Sequence, residues 1–325
     1  MTPFITRRAG LAALTLALLA ASGVQAQDYP TKPIRLLAPF PAGSGPDANA
    51  REIAGELTKI LGQTVIVDNK PGASGIIGTD AAAKAAPDGY TLVVGTTSTM
   101  SVLRHLYTKL PFNAEKDFAP VSLLGVLNTG LIATPSAPFK TVAELVTYAK
   151  AHPDTVTAAT LGAGSYFHLA GEWFASNAGV KLRFVPYSTT SPYTDLMAGQ
   201  VQVMFDALPA AAGSIRAGKL KLLALTGKAR HPAFPDVPTF AEAGVADYAP
   251  VAWQGILAPA GTPKAIVEKL SAAMQKAAQN PQLAEKWHQY GGELKATTPA
   301  EFAAFIKADS AKWGEVVRQA GVKLD

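Results

Sequence analysis

The 325-residue chain contains no cysteine, balances 29 Lys plus Arg against 24 Asp plus Glu, and carries a formal net charge of +5. The missing thiols exclude disulfides, thiolate metal sites, cysteine nucleophiles and a lipid-anchored cysteine. The mild charge, with no basic run, argues against nucleic acid as a partner, and the length suggests about two domains. In chain order, residues 1–26 read as an export signal: Arg7 and Arg8, an apolar stretch from Leu11 to Ala21, then small residues ending in Val24-Gln25-Ala26. That stretch is shorter than the ~20 residues a membrane span needs. Ala9-Gly10-Leu11 after the Arg pair fits general secretory export better than a twin-arginine signal. Cleavage after Ala26 lowers the formal charge from +5 to +3, because Arg7 and Arg8 are the only charged side chains removed.

Beyond the signal, strands and helices alternate. Pro33 to Phe40 predicts a buried strand ending in the turn formers Pro41 to Asp47, and Ala50, Ile53, Ala54, Leu57 and Leu61 recur at helical spacing up to Gly62. Thr64 to Val67 predicts a second strand, Gly72 to Gly78 opens a helix, and Tyr90 to Val94 predicts a third strand. Leu123 to Ala133 reads as one long apolar strand, and Thr141 with Glu144 as a capping box. Further strands are expected at Val156 to Ala159, Leu182 to Pro186, Val201 to Phe205 and Leu220 to Leu225. The proline-rich stretch from His231 to Pro238 reads as a surface or hinge-side loop. Thr262-Pro263 caps a helix burying Ile266, Val267, Leu270 and Met274; Thr298, Pro299 and Glu301 cap another burying Phe302, Phe305, Ile306 and Trp313. The alternation predicts an α/β fold with mostly parallel sheets and helices on both faces.

Four strands run into loops of Gly, Ser and Thr: Ala42 to Asp47, Gly95 to Thr99, Gly162 to Ser165, and Ser188 to Ser191. Ligands of open α/β sheets sit beyond the carboxyl ends of strands. Free N–H groups, hydroxyls and helix starts there suit a carboxylate without Arg or Lys. Any one such loop is equally consistent with an ordinary turn; their recurrence favours a binding site. Asp206, at the end of an apolar strand, either accepts from a ligand amine or hydroxyl or caps the next segment. Trp253 and Phe40 either wall a pocket or fill cores, whereas Tyr166 and Phe167, beside a Gly-rich turn, are better placed to touch an apolar ligand body. No nucleophile elbow, phosphate loop, dinucleotide fingerprint or HExxH pair is present. His168 and Glu172 make too small a set for a metal. Ser165 with His168 lacks a visible orienting partner, which leaves an exported hydrolase as a remote alternative. No cofactor or metal is expected.

Several segments resemble the Bug-type receptors of tripartite tricarboxylate transporters. They include Tyr29-Pro30-Thr31-Lys32-Pro33-Ile34-Arg35, Pro39-Phe40-Pro41-Ala42-Gly43, Asp68-Asn69-Lys70-Pro71-Gly72-Ala73 and Ala86-Pro87-Asp88-Gly89-Tyr90-Thr91-Leu92. His168-Leu169-Ala170-Gly171-Glu172, Gly199-Gln200-Val201 and Ala258-Pro259-Ala260-Gly261-Thr262-Pro263 extend the resemblance to nearly the whole mature chain.

The resemblance implies a type II periplasmic-binding-protein fold of two doubly wound α/β lobes with a ligand cleft between. Lobe one would combine residues 27–124 with 245–325, and lobe two would be 125–244. The two lobes would be joined by crossing segments near Gly125 to Ala133 and Gly244 to Trp253. It implies a periplasmic, non-enzymatic, monomeric receptor that passes a small carboxylate-bearing solute to membrane permease subunits. A ligand-reporting partner of a sensor kinase's periplasmic domain is the alternative. By resemblance, lobe one contributes Phe40, Pro41, Ala42, Gly43, Ser44, Gly45 and Asp47, with Thr96, Thr97, Ser98 and Thr99. Lobe two contributes Gly162, Ala163, Gly164, Ser165, Tyr166 and His168, with Ser188, Thr189, Thr190, Ser191 and Asp206.

The chain departs from the family pattern at Pro46, which removes an N–H donor. It also departs at Ser188 to Ser191, where a Lys and Gly are common, and at the bulky Tyr166-Phe167. These departures point toward a less charged or partly aromatic solute, such as an aromatic monocarboxylate or its amide.

Overall fold

In the computed structural model, residues 29–320 and Leu324 are described, apart from Ser188, Pro209, Ala210, Asp247, Ala249 and Tyr290. The expected export signal lies outside the described residues. Strand β1 (Ile34–Ala38) leads through a loop to helix α1 (Gly45–Leu61), which stops at Gly62 in a left-handed conformation. β2 (Val65–Asn69), α2 (Ile76–Ala83), β3 (Thr91–Thr96), a wide helical turn at Thr97–Val102 and α3 (Leu103–Leu106) follow. β4 (Phe118–Asn128) then passes into β5 (Gly130–Ala133). The next elements are α4 (Val142–Ala151), β6 (Thr157–Thr160), α5 (Tyr166–Ala178), β7 (Arg183–Pro186), α6 (Tyr193–Met197), β8 (Val203–Asp206), α7 (Ala212–Arg216) and β9 (Lys221–Leu225). The chain closes with β10 (Val251–Pro259), α8 (Lys264–Ala278), α9 (Pro281–Gln289), β11 (Gly292–Leu294) and α10 (Pro299–Ala320).

The strands form two sheets, ordered β11-β4-β10-β3-β1-β2 and β7-β6-β8-β5-β9. Period-two alternation gives the first sheet two buried faces. Leu37, Val93 and Leu257 face Phe302 and Ile306 of α10, while Ile34, Leu36 and Val94 belong to the core that holds Ile53 and Leu57 of α1. Main-chain ladders and these two apolar layers fix where the strand tips sit.

Both sheets are mixed, which corrects the expectation of mostly parallel pairing. β1 pairs parallel with β2 and β3, and β6 with β7 and β8, but β4, β5, β9, β10 and β11 all pair antiparallel. The physical reason is the route of the chain. β4 leaves the first sheet and β10 returns to it, and a leaving and a returning strand lie side by side in opposite directions. The apolar run from Leu123 to Ala133 is likewise two strands, since Asn128 pairs with Val251 in one sheet and Gly130 with Asp206 in the other. Thr129 between them donates its N–H to Thr226 Oγ1 (2.8 Å) and accepts from Thr226 N–H (2.9 Å).

The capping box expected at α4 is half formed. Thr141 Oγ1 accepts from Glu144 N–H, but the Glu144 carboxylate accepts from the N–H of Lys140 instead. The box at α10 is complete, with Thr298 and Glu301 bonding each other's N–H groups.

Candidate functional site

The carboxyl ends of β1, β3, β6 and β8 meet between the two sheets, around a narrow cavity of about 20 Å³. From the first sheet come Phe40, Pro46, Thr96, Thr97 and Ser98; from the second, Leu161, Ser165, Tyr166, Phe167 and Ala207. Leu127, Ala252, Trp253 and Gln254, on the strands that pass between the sheets, complete the lining, and among the described residues no Lys, Arg, Asp or Glu is part of it.

The first wall is held by bonds within its own unit. In the loop after β1, Ser44 Oγ donates to Pro41 O (2.7 Å), and buried Asp47 accepts from Gly43 N–H (2.8 Å), Asn69 Nδ2 (2.8 Å) and Arg51 Nε (3.0 Å). Asp47 is therefore a brace for the loop. Ala42 and Gly43 are exposed, and Phe40 and Pro46 supply the cavity surface. After β3, Thr96 and Thr99 cap each other's N–H groups, which fixes Thr97 and Ser98 at the rim of the turn. Thr97 Oγ1 accepts from Trp253 N–H (3.0 Å).

The second wall leans on the first. Ser165 caps α5, its Oγ accepting from His168 N–H (3.3 Å). Tyr166 N–H donates across the cleft to Ser98 Oγ (2.8 Å), and the Tyr166 hydroxyl bonds Thr129 Oγ1 (2.7 Å). Ser74 Oγ donates to Ala163 O. Gly162 and Gly164 pack so closely on the first unit that an added Cβ would collide with Ser74 and with Leu106 and Leu324, respectively. Their role is contact between the units. Burial pushes the Tyr166 hydroxyl well above its ordinary range.

His168 turns away from Ser165. Its Nδ1 accepts from Gly164 N–H (3.0 Å) and its Nε2 lies 3.5 Å from Glu172. Both ring nitrogens are thus engaged elsewhere and neither bonds the Ser165 hydroxyl, so the pair does not have the nucleophile–base geometry of a serine hydrolase.

Asp206 is fully buried at the tip of β8. Its carboxylate accepts from Tyr193 OH (2.8 Å) and from Ala207 N–H (2.8 Å), and it stands against Gly45 of the first unit. Burial pushes its pKa up to about 7, against the lowering effect of those two bonds. Its own bonds place it behind the lining, at the closure between units. Thr189 and Thr190 are exposed and Ser191 half-buried, all outside the cavity lining, while Ser188 lies outside the described residues.

Sequence reasoning missed Gln254, Ala252 and Leu127 because β10 carried no turn signal and the break at Thr129 was invisible in a continuous apolar run. It placed Trp253 correctly between two roles. Its ring packs edge-on against Phe302 and Phe305 and its Nε1 donates to Asp309 (2.6 Å), while the residue also borders the cavity.

Two α/β units joined by paired crossing strands, with a cavity between their strand tips, make this a binding-protein fold of the periplasmic type II class. The model of the tripartite tricarboxylate transporter family receptor matches residues 49–322. BugT of Bordetella pertussis is 35% identical over 306 residues, covering 94% of each chain. Among solved structures, the periplasmic binding protein BugD superposes with a TM-score of 0.87 at 34% identity, over 91% of this chain and 99% of that one. A Rhodopseudomonas palustris protein, Rpa4515, solved with adipate, gives 0.87 at 33% identity over the same shares. The chain belongs to the tripartite tricarboxylate transporter receptor family, whose members are periplasmic solute-binding proteins.

Proposed function

We propose that the protein is exported, cleaved after Ala26, and captures a small carboxylate-bearing solute between lobes formed by residues 27–124 with 245–325 and by 125–244. It then hands the solute, as a monomer, to the membrane permease subunits of a tripartite transporter. The observation that carries this reading is the convergence of the first turns of α1 and α5 and the capped turn at Thr96–Thr99 on a cavity lined, among the described residues, by no charged side chain. Helix starts and hydroxyls stabilise a carboxylate there without a counter-ion, through free N–H groups and partial positive charge. The adipate found in Rpa4515 supports the same ligand chemistry. Phe40, Tyr166 and Phe167 offer an apolar or aromatic body a matching surface, so an aromatic monocarboxylate or its amide fits the wall. Closure by hinge motion brings both walls onto the solute, and contacts to both favour the closed form.

The test is a melting experiment on the mature protein with dicarboxylates, tricarboxylates, amino acids and aromatic acids at millimolar concentration. A binder present at a hundredfold over its Kd stabilises by about 2.7 kcal/mol and raises the melting temperature measurably. A melt unmoved by every acid removes the carboxylate reading.

A further inference from the structure

The first turn of α1 has a gap in its donors. Pro46 lines the cavity at the second helical position, where any other residue would offer an N–H to a bound anion. Asn49 lies three residues further along the same helix face and is completely buried. Its Nδ2 donates to Gln254 Oε1 at 2.9 Å. Gln254 is only 3% exposed, borders the same cavity, and stands opposite Thr96 of the capped turn.

The neighbouring Trp253 turns its ring to the opposite face, onto Phe302. The pairing of β10 with β4 also shifts register between Gln254 and Gly255, an irregularity of the kind that re-aims a side chain. With its oxygen taken by Asn49, Gln254 has an amide nitrogen that makes no bond among the described residues, on a side chain that borders the cavity.

We infer that Gln254, held by Asn49, supplies the hydrogen-bond donor that Pro46 withholds from the carboxylate cradle, so that a side-chain amide stands in for a main-chain one. This rests on the carboxylate reading and deepens it. The donor is neutral, so it serves a carboxylate or a carbonyl oxygen and confers no preference for a second negative charge. Asn49 is the positioning residue. Without it the Gln254 amide would be free to turn its oxygen toward the solute.

The experiment titrates adipate, benzoate and citrate calorimetrically into the parent protein, Gln254→Leu, and Gln254→Leu combined with Pro46→Ala, which returns an N–H to the helix start. For each acid the parent binds, Gln254→Leu is expected to weaken binding at least tenfold. Adding Pro46→Ala is expected to recover at least threefold, which a merely space-filling glutamine would not allow. Binding of Gln254→Leu within threefold of the parent overturns the inference alone, as does a loss that Pro46→Ala leaves unrecovered. A parent protein silent to all three acids and to the wider panel brings down the proposed function and this inference with it. Should Gln254→Leu fail to fold, the Gln254 side-chain amide resonances of the 15N-labelled parent carry the test. They are expected to shift on titration with a bound acid, and unmoved resonances overturn the inference.

Discussion

The two walls of the cleft are made of similar residues yet held in different ways. The wall from the first sheet is braced from behind: Asp47 collects three donors, Ser44 ties back to Pro41, and Thr96 and Thr99 cap one another, all inside one unit. The wall from the second sheet takes much of its support from across the gap, through Ser98 to Tyr166, Ser74 to Ala163, and the seat of Gly164 on Leu106 and Leu324. One wall is therefore braced within its own unit, and the other through contacts that any parting of the units would break. Preorganised donors cost no reordering when a ligand arrives, whereas contacts made on closure set how tightly it is retained.

Substitutions can break this contrast, and the largest effect belongs to the first wall. Asp47→Ala would remove the acceptor of Gly43 N–H and Arg51 Nε and leave Asn69 Nδ2 only its longer bond to Phe40 O, and is expected to cost about 3 kcal/mol of stability in urea unfolding. An equal loss from disturbing a second-wall residue such as Ser165 would erase the distinction.

Gly164→Val should act on closure. At φ +71° its new side chain is strained, and it meets Leu324 and Leu106, so affinity for whichever acid binds should fall more than tenfold, roughly 1.4 kcal/mol or more. Gly43→Val has similar backbone strain (φ +76°) but nothing within 4 Å to strike, so its loss should be smaller. The reverse order would show that the loop of the first wall, not that of the second, meets a neighbour at the moment of binding.

A separate effect concerns pH. Asp206, raised to about 7 from its ordinary 3.8, holds a proton more tightly in the fold than in the unfolded chain. Its contribution is therefore greatest below the unfolded pKa and is lost as pH rises through about 7, with a slope of at most ~1.4 kcal/mol per pH unit. Asp206→Asn, which stays uncharged, should flatten the fall in melting temperature between about pH 4 and 7. A variant as pH-dependent as the parent would refute the assignment.

Much of this was legible beforehand, because strand-end loops announce themselves by Gly, Ser and Thr. The helices carrying Ile53 and Phe302 announce themselves by spacing, and the family resemblance held across the chain. Strand direction was not legible. Period-two alternation is the same for parallel and antiparallel neighbours, so the insertion of β4 and β10 against their partners left no trace in the pattern. Gln254 was hidden for a related reason. A lone amide in an apolar strand acquires meaning only when Asn49, 205 positions away, is seen to hold its oxygen. The loop at Thr189 to Ser191 looked like its counterparts, yet it lies outside the cavity lining.

Thr129 is the whole span of chain between the last rung of one ladder and the first rung of the next. Adding or deleting one residue there would invert the inward and outward sides of an entire strand, so this junction is closed to length variation. The return passage from Leu225 is anchored too, by buried Phe234, Phe240 and Tyr248 and a bridge from Leu225 to Thr239, but it surfaces at Gly227 to Arg230. Grafted peptides, fluorescent reporters or new chain ends belong at that exposed turn, where the molecule can lengthen without losing step.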